Sequence, residues 1–438
     1  MTALSRDSAN ARILRTGTDR RSVIKSALFA GGAVVFAGYG RAPQTLAQDN
    51  IRLVHWYHQY GEEGTEDAVY RYAEQYTEEN PNVEIEVNWQ LGDYPAALNA
   101  ALLTSDAPDV FEQNVPTLDQ VRQGQIAPLD DLYTDEIRAG FNEVGLQAGT
   151  IEGNIYWVKM IDDTGAIYYH RSLLEEAGIE PPQSIDELIA ASVALDTGRQ
   201  KGLFVGNDGG ISALVGPLLW SAGGDFLNEE RTAPAFNNER AAAAYTKLRE
   251  LNDTGSLLIG SPTDYWDPSA FIQNLTAMQW TGLWAMPQIL REVGAENVGV
   301  LPWPRSDAEG SPSTFWGGWG ECVFGQSENL DAAKELVRWM WIENTEIQQD
   351  WNLAYGFHVP PRTDAAESAE VLQEPPASEV VEFLNDYGNV TSPLWTGVMG
   401  TALLDAVTNI AREGADASEE LDIAATRVQE ELDRLLAG

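Results

Sequence analysis

The chain has 438 residues, enough for two or three domain-sized cores, and its 44% apolar content excludes a disordered protein. Its 67 acidic residues against 27 basic ones give a formal charge of −40, a surface that repels nucleic acid and anionic lipid. The single cysteine, Cys322, excludes an internal disulfide, and with no zinc-ligand spacing around it a small buried strand residue is expected there.

Residues 1–47 read as an export leader. Arg20 and Arg21 precede an uncharged run over 26–40, and small residues end near Ala47. The stretch 19–25 resembles a twin-arginine export motif. The apolar run is short for a membrane span and is interrupted by glycines, so a retained anchor is the weaker alternative. A soluble protein exported to the periplasm or the extracellular space is expected. Beyond the leader the only lysines are Lys159, Lys201, Lys247 and Lys334. Such a surface suits concentrated salt, where screening relieves self-repulsion; a salt-adapted source and a merely acidic exported protein both fit.

Residues 51–57 are expected as a first strand and 65–79 as the helix after it, with Val69, Tyr72, Ala73 and Tyr76 along one face. Pro81 stops that helix, and Val83, Ile85 and Val87 alternate with polar residues as a second strand. A helix over 94–104 and a short strand over 109–111 follow. Strands alternating with helices predict an α/β sheet with helices on its faces, whose ligands lie beyond the carboxyl ends of the strands. Trp56, Tyr57, His58, Glu112, Gln113 and Asn114 fall at those ends.

Residues 153–188 read as an extended crossing, a short helix, a turn and a second helix. Pro181 and Pro182 cannot continue the helix over 173–177, which must end near Gly178. Ser184 and Glu187 have the S-x-x-E spacing that ties off a helix start. A second set of elements follows: strands over 203–205, 277–280 and 298–302, with helices over 212–222, 238–252 and 271–275. A helix over 331–344 buries Ala333, Val337, Met340 and Trp341, and the last helices occupy 378–383, 397–410 and 417–436. No repeat or low-complexity linker interrupts the chain, so its parts are joined by crossings.

Tryptophan is the most informative residue type. An indole not needed in a core stacks on the C–H face of a pyranose ring, and its N–H bonds a hydroxyl. Trp56, Trp157, Trp266, Trp284, Trp316, Trp319 and Trp395 stand beside glycines or in expected loops; core packing is the competing reading for each. Trp339 and Trp341 are assigned to packing and Trp89 to a strand.

Tyr168, Tyr169, Leu173, Leu174, Ala177, Gly178, Pro181, Pro182, Ser184, Asp186, Glu187 and Leu188 resemble the signature run of the extracellular solute-binding proteins of carbohydrate ABC importers, with His170 where Asn is usual. Ala222 to Asp225, Gly282-Leu283-Trp284, 299–304, the helix after Ser327 and 356–362 follow in the family's order, so the resemblance covers most of the chain after Ile51. It implies a two-lobed periplasmic-binding-protein fold, each lobe a sheet flanked by helices, joined by a hinge. Residues 48–160 and 306–352 would form lobe I, and 161–305 and 353–438 lobe II. By likeness to maltose- and maltodextrin-binding relatives, pocket residues are expected at Trp56, Tyr57, His58, Glu112, Gln113, Asn114, Asp162, Asp163, Trp284 and Trp395. Trp319, in its glycine-rich loop, joins them as an aromatic candidate.

A neutral sugar needs donors and acceptors placed around apolar faces, because every buried hydroxyl must be paired. An anionic ligand would call for clustered Arg or a glycine-rich helix start, whereas Lys159 and Arg362 are isolated, and Lys159 can instead pair with Asp162 or Asp163. A secreted glycoside hydrolase would use two carboxylates about 5–9 Å apart. No G-x-S-x-G, H-E-x-x-H or P-loop string occurs, and four histidines leave few catalytic candidates. The expectation is therefore a monomeric binding protein, not an enzyme, that needs no cofactor or metal. Its partners would be a carbohydrate and the permease subunits of an ABC importer, with a polyol or sugar acid as the alternative ligand.

Overall fold

The computed structural model describes residues 50–437, and the expected leader lies outside the described residues. Along the strand Ile51–His58 every second side chain, Leu53, His55 and Tyr57, is buried. That period of two lets the strand bury one face while its other face stays half covered. It pairs in parallel with Val83–Gln90 over its whole length and with Val110–Gln113 on the other side. The intervening helix Thr65–Glu79 buries Ala68, Val69, Tyr72 and Tyr76, a helical stripe laid against the sheet. Gly320–Val323, from far along the chain, then adds antiparallel to Val110–Gln113, and Val158–Lys159 closes that edge. Cys322 is buried in this added strand.

A second sheet has the order Val298–Leu301, Gly165–His170, Thr276–Gly282, Lys201–Phe204. Every residue of its two central strands is buried, so the stretch shows a continuous covered run in place of an alternation. Local chemistry sets the helices around it. Gly178, at φ 66°, ends Arg171–Ala177, and Ser184 Oγ accepts the Glu187 N–H at 3.3 Å to start Ile185–Leu195. The Glu187 carboxylate returns to the N–H of Gln183 at 2.7 Å, one residue before the cap. The helix expected to run unbroken over 331–344 instead passes from Leu330–Arg338 into a π-helical turn, Trp339–Glu343. The C-terminal helices Gly397–Thr408 and Ala417–Ala437 pack on each other and on Ile211–Ser221 and Glu239–Asp253, beside the second sheet.

The chain passes between the sheets three times, over 160–164, 302–319 and 354–362. These crossings are laced together. Asp162 and Val359 exchange both backbone hydrogen bonds at 2.9 Å, and the Gly317 N–H donates to the Asp163 carbonyl at 2.8 Å. At another edge the halves touch directly, where Arg122 donates to the Leu435 carbonyl at 2.6 Å and Arg434 pairs with Asp119 at 2.6 Å.

Candidate functional site

The carboxyl end of Ile51–His58 delivers its last three side chains to different surroundings. Tyr57 is buried under the sheet among Tyr72 and Trp351, so it does not reach the space between the sheets. Trp56 is half-buried and packs against the main core. His58 points to the sheet end, where Glu112, fully buried, lies 2.5 Å from its Nδ1 and also accepts its backbone N–H. The other Glu112 oxygen accepts the Tyr60 hydroxyl at 2.7 Å. Glu112 is thus committed to orienting His58 and is not presented to a ligand.

What His58 carries is the indole of Trp319, stacked on it at 3.9 Å and 22°, with Tyr94 edge-on to the same indole at 5.9 Å. Trp319 lines a cavity of about 190 Å³ together with Tyr94, Gln113, Asn114, Ser392 and Trp395. Gln113 donates to Val115 O and Gln120 Oε1, which leaves its buried Oε1 without a partner among the described residues. Asn114 is exposed and donates to Gly318 O at 3.2 Å. Trp395 is held by a stack on Phe226 at 4.6 Å. Four of the expected residues therefore meet at one cavity, walled by the first sheet on one side and by the segment after the third crossing on the other.

Trp284 lines a different cavity, of about 310 Å³, with Gly61, Glu62, Glu63, Trp266 and Tyr355. Gly282 permits its pose, since a Cβ there would fall 1.9 Å from the indole. Its Nε1 donates to Trp266 O at 2.9 Å. Trp266 is 47% exposed, unusual for so large an apolar surface.

Asp162 and Asp163 are buried within the laced crossings. Asp162 accepts from Trp316 Nε1 at 2.9 Å and lies 3.7 Å from Lys159 Nζ; Asp163 lies 2.8 Å from His358 Nδ1. Burial pushes both carboxyls above the usual carboxylate range, against the pull of Lys159 on one and His358 on the other. Burial likewise lowers the Lys159 ammonium, countered by the two aspartates. Both carboxylates serve the crossings and neither lines the two cavities. Sequence reasoning passed over Glu62, Tyr94 and Ser392 and did not select Trp266. The position of Glu62, just beyond the first strand end, was the signal available.

Two helix-flanked sheets tied by a narrow band of crossings, with cavities opening between them, define a two-lobed binding protein. The chain belongs to the bacterial extracellular solute-binding protein family, whose model matches residues 71–379. A maltotriose-binding protein of Pyrococcus abyssi is 23% identical over 381 residues, covering 84% of this chain and 79% of its own length. The fold matches that of the GacH receptor of Streptomyces glaucescens, solved unliganded and with acarbose, at TM-score 0.73 and 24% identity over 88% of this chain and 98% of the receptor. It also matches a tagatose-bound ABC transporter solute-binding protein of Thermotoga lettingae, at TM-score 0.75 and 20% identity over 87% and 100%. The family and these neighbours are binding proteins, and the family is extracellular. Among the described residues no helix is long and apolar enough to cross a membrane.

Proposed function

We propose that the protein captures a neutral sugar or short oligosaccharide between its lobes and delivers it to the permease of an ABC importer. It would act as a monomer and make or break no bond. One observation carries the reading: indoles from two separate segments, Trp319 and Trp395, share a cavity with the side-chain amides of Gln113 and Asn114. Flat apolar faces beside planar donor–acceptor groups suit a ring that is apolar on its faces and hydroxylated at its rim. A sugar acid would instead call for a guanidinium or ammonium, and none is among the residues lining the cavity of Trp319 and Trp395.

Binding energy from stacking and hydrogen bonds would favour the closed arrangement, which the permease would recognise. Lobe I would comprise residues 48–160 and 306–352 and lobe II residues 161–305 and 353–438, with twin-arginine export of the precursor. A thermal-shift panel of mono- and oligosaccharides, polyols and sugar acids tests the ligand class, because a ligand of the native state raises its melting point. Stabilisation by a neutral saccharide is expected; stabilisation by sugar acids alone would overturn the reading.

A further inference from the structure

The crossings hold an ion cluster that the saccharide reading leaves without a role. His358, buried on the third crossing, has Nδ1 2.8 Å from Asp163 Oδ1 on the first crossing and Nε2 3.3 Å from Glu62 Oε1 in the loop after the first strand. Glu62 is nearly covered, with 8% of its side chain exposed, yet it lines the same cavity as Trp284 and Trp266. Gly356 sets the spacing. A Cβ there would stand 2.9 Å from the Trp284 carbonyl oxygen and 3.0 Å from Glu62 Cγ, so the loop, the crossing and the second-sheet wall meet where only glycine fits.

An imidazole with a carboxylate beside each nitrogen, hydrogen-bonded at Nδ1 and within ion-pair distance at Nε2, is favoured in its doubly protonated form. Burial acts against that proton, but Asp163 and Glu62 outweigh it and bring His358 up to about 10. Those two carboxylates are the charged groups facing the ring; behind Asp163 lie Lys159 and Asp162, 3.7 Å apart.

We propose that His358 is a positioning residue: by bridging Asp163 and Glu62 it fixes the Glu62 carboxylate as the first-lobe acceptor for hydroxyls of a sugar whose ring lies on Trp284. This rests on the saccharide reading and adds a second recognition wall to it. Glu62 and Trp284 line one cavity, so the acceptor and the indole face a common guest.

Two measurements test the proposal on the full chain. The first needs no ligand: His358 is titrated by NMR in the wild type and in Glu62→Gln. The wild-type imidazole is expected to stay protonated to about pH 9, and the substitution to lower its midpoint by roughly one pH unit. A midpoint that the substitution leaves unmoved overturns the bridge. The second measures, by titration calorimetry, affinity for whichever panel saccharide raises the melting temperature most. Glu62→Gln and Trp284→Ala are each expected to weaken binding about ten- to a hundredfold. Wild-type affinity is expected to fall above about pH 9, while His358→Gln binds more weakly with a flat profile over that range. Unchanged affinity in Glu62→Gln overturns the acceptor role. If no panel saccharide binds, the saccharide reading and the acceptor role fall together, and the NMR titration still decides the bridge.

Discussion

At the scale of single residues, the site is built on pairs in which one member is spent on holding the other. Glu112 and Tyr60 hold His58, and His58 carries Trp319. Trp319→Ala should therefore remove a stacking face while leaving its supports in place. We expect a loss of about 2 kcal/mol of saccharide binding, roughly thirtyfold, read by titration calorimetry with an unchanged circular dichroism spectrum. His358 gives a prediction about pH. Its ordinary value of 6.5 is raised to about 10 in the fold, so the stability it contributes is fully present below about pH 6.5 and is lost as pH rises towards 10. The stability gap between wild type and His358→Leu, measured by urea unfolding, should be widest near pH 6 and shrink steadily up to pH 10.

At the scale of elements, the crossings are the most constrained part of the chain. Gly318 has φ 101°, and a Cβ on it would lie 2.1 Å from the Ile161 carbonyl oxygen, so both its backbone conformation and its closeness to the first crossing demand glycine. Gly318→Ala should cost about 2 kcal/mol in urea unfolding, more than alanine at an open, exposed glycine such as Gly397. Element identity was largely legible: the end at Gly178 and the cap at Ser184 follow from local rules of turn and cap, whereas Gly165–His170, read as part of an extended crossing, is a central strand of the second sheet. The π-helical turn at Trp339–Glu343 was not legible, because its apolar positions satisfy an ordinary helical period just as well.

At the scale of the molecule, charge dominates. With a formal charge of −40 the folded chain repels itself, and added salt screens that repulsion. The melting temperature should rise between low salt and molar sodium chloride; a flat or falling curve in differential scanning calorimetry would count against a salt-adapted surface. The lobes meet at the laced crossings and again at the Arg122–Leu435 and Arg434–Asp119 contacts, so any opening must break the second set while keeping the first.

The sequence by itself determined the alternation of strands and helices, the helix end at Gly178 and cap at Ser184, and the supply of indoles, because each depends on local periodicity, caps and composition. Only the tertiary structure decided which expected residues share a wall. Tyr57 and His58 are neighbours in the chain, yet the pleat buries one and carries the other to the sheet end. Asp162 and Asp163 were expected in the pocket, yet residues about 150 to 200 positions away, Trp316 and His358, take them into the crossings. Partners that distant leave no mark on local pattern, so which acids are buried and which indoles line a cavity is settled by packing alone.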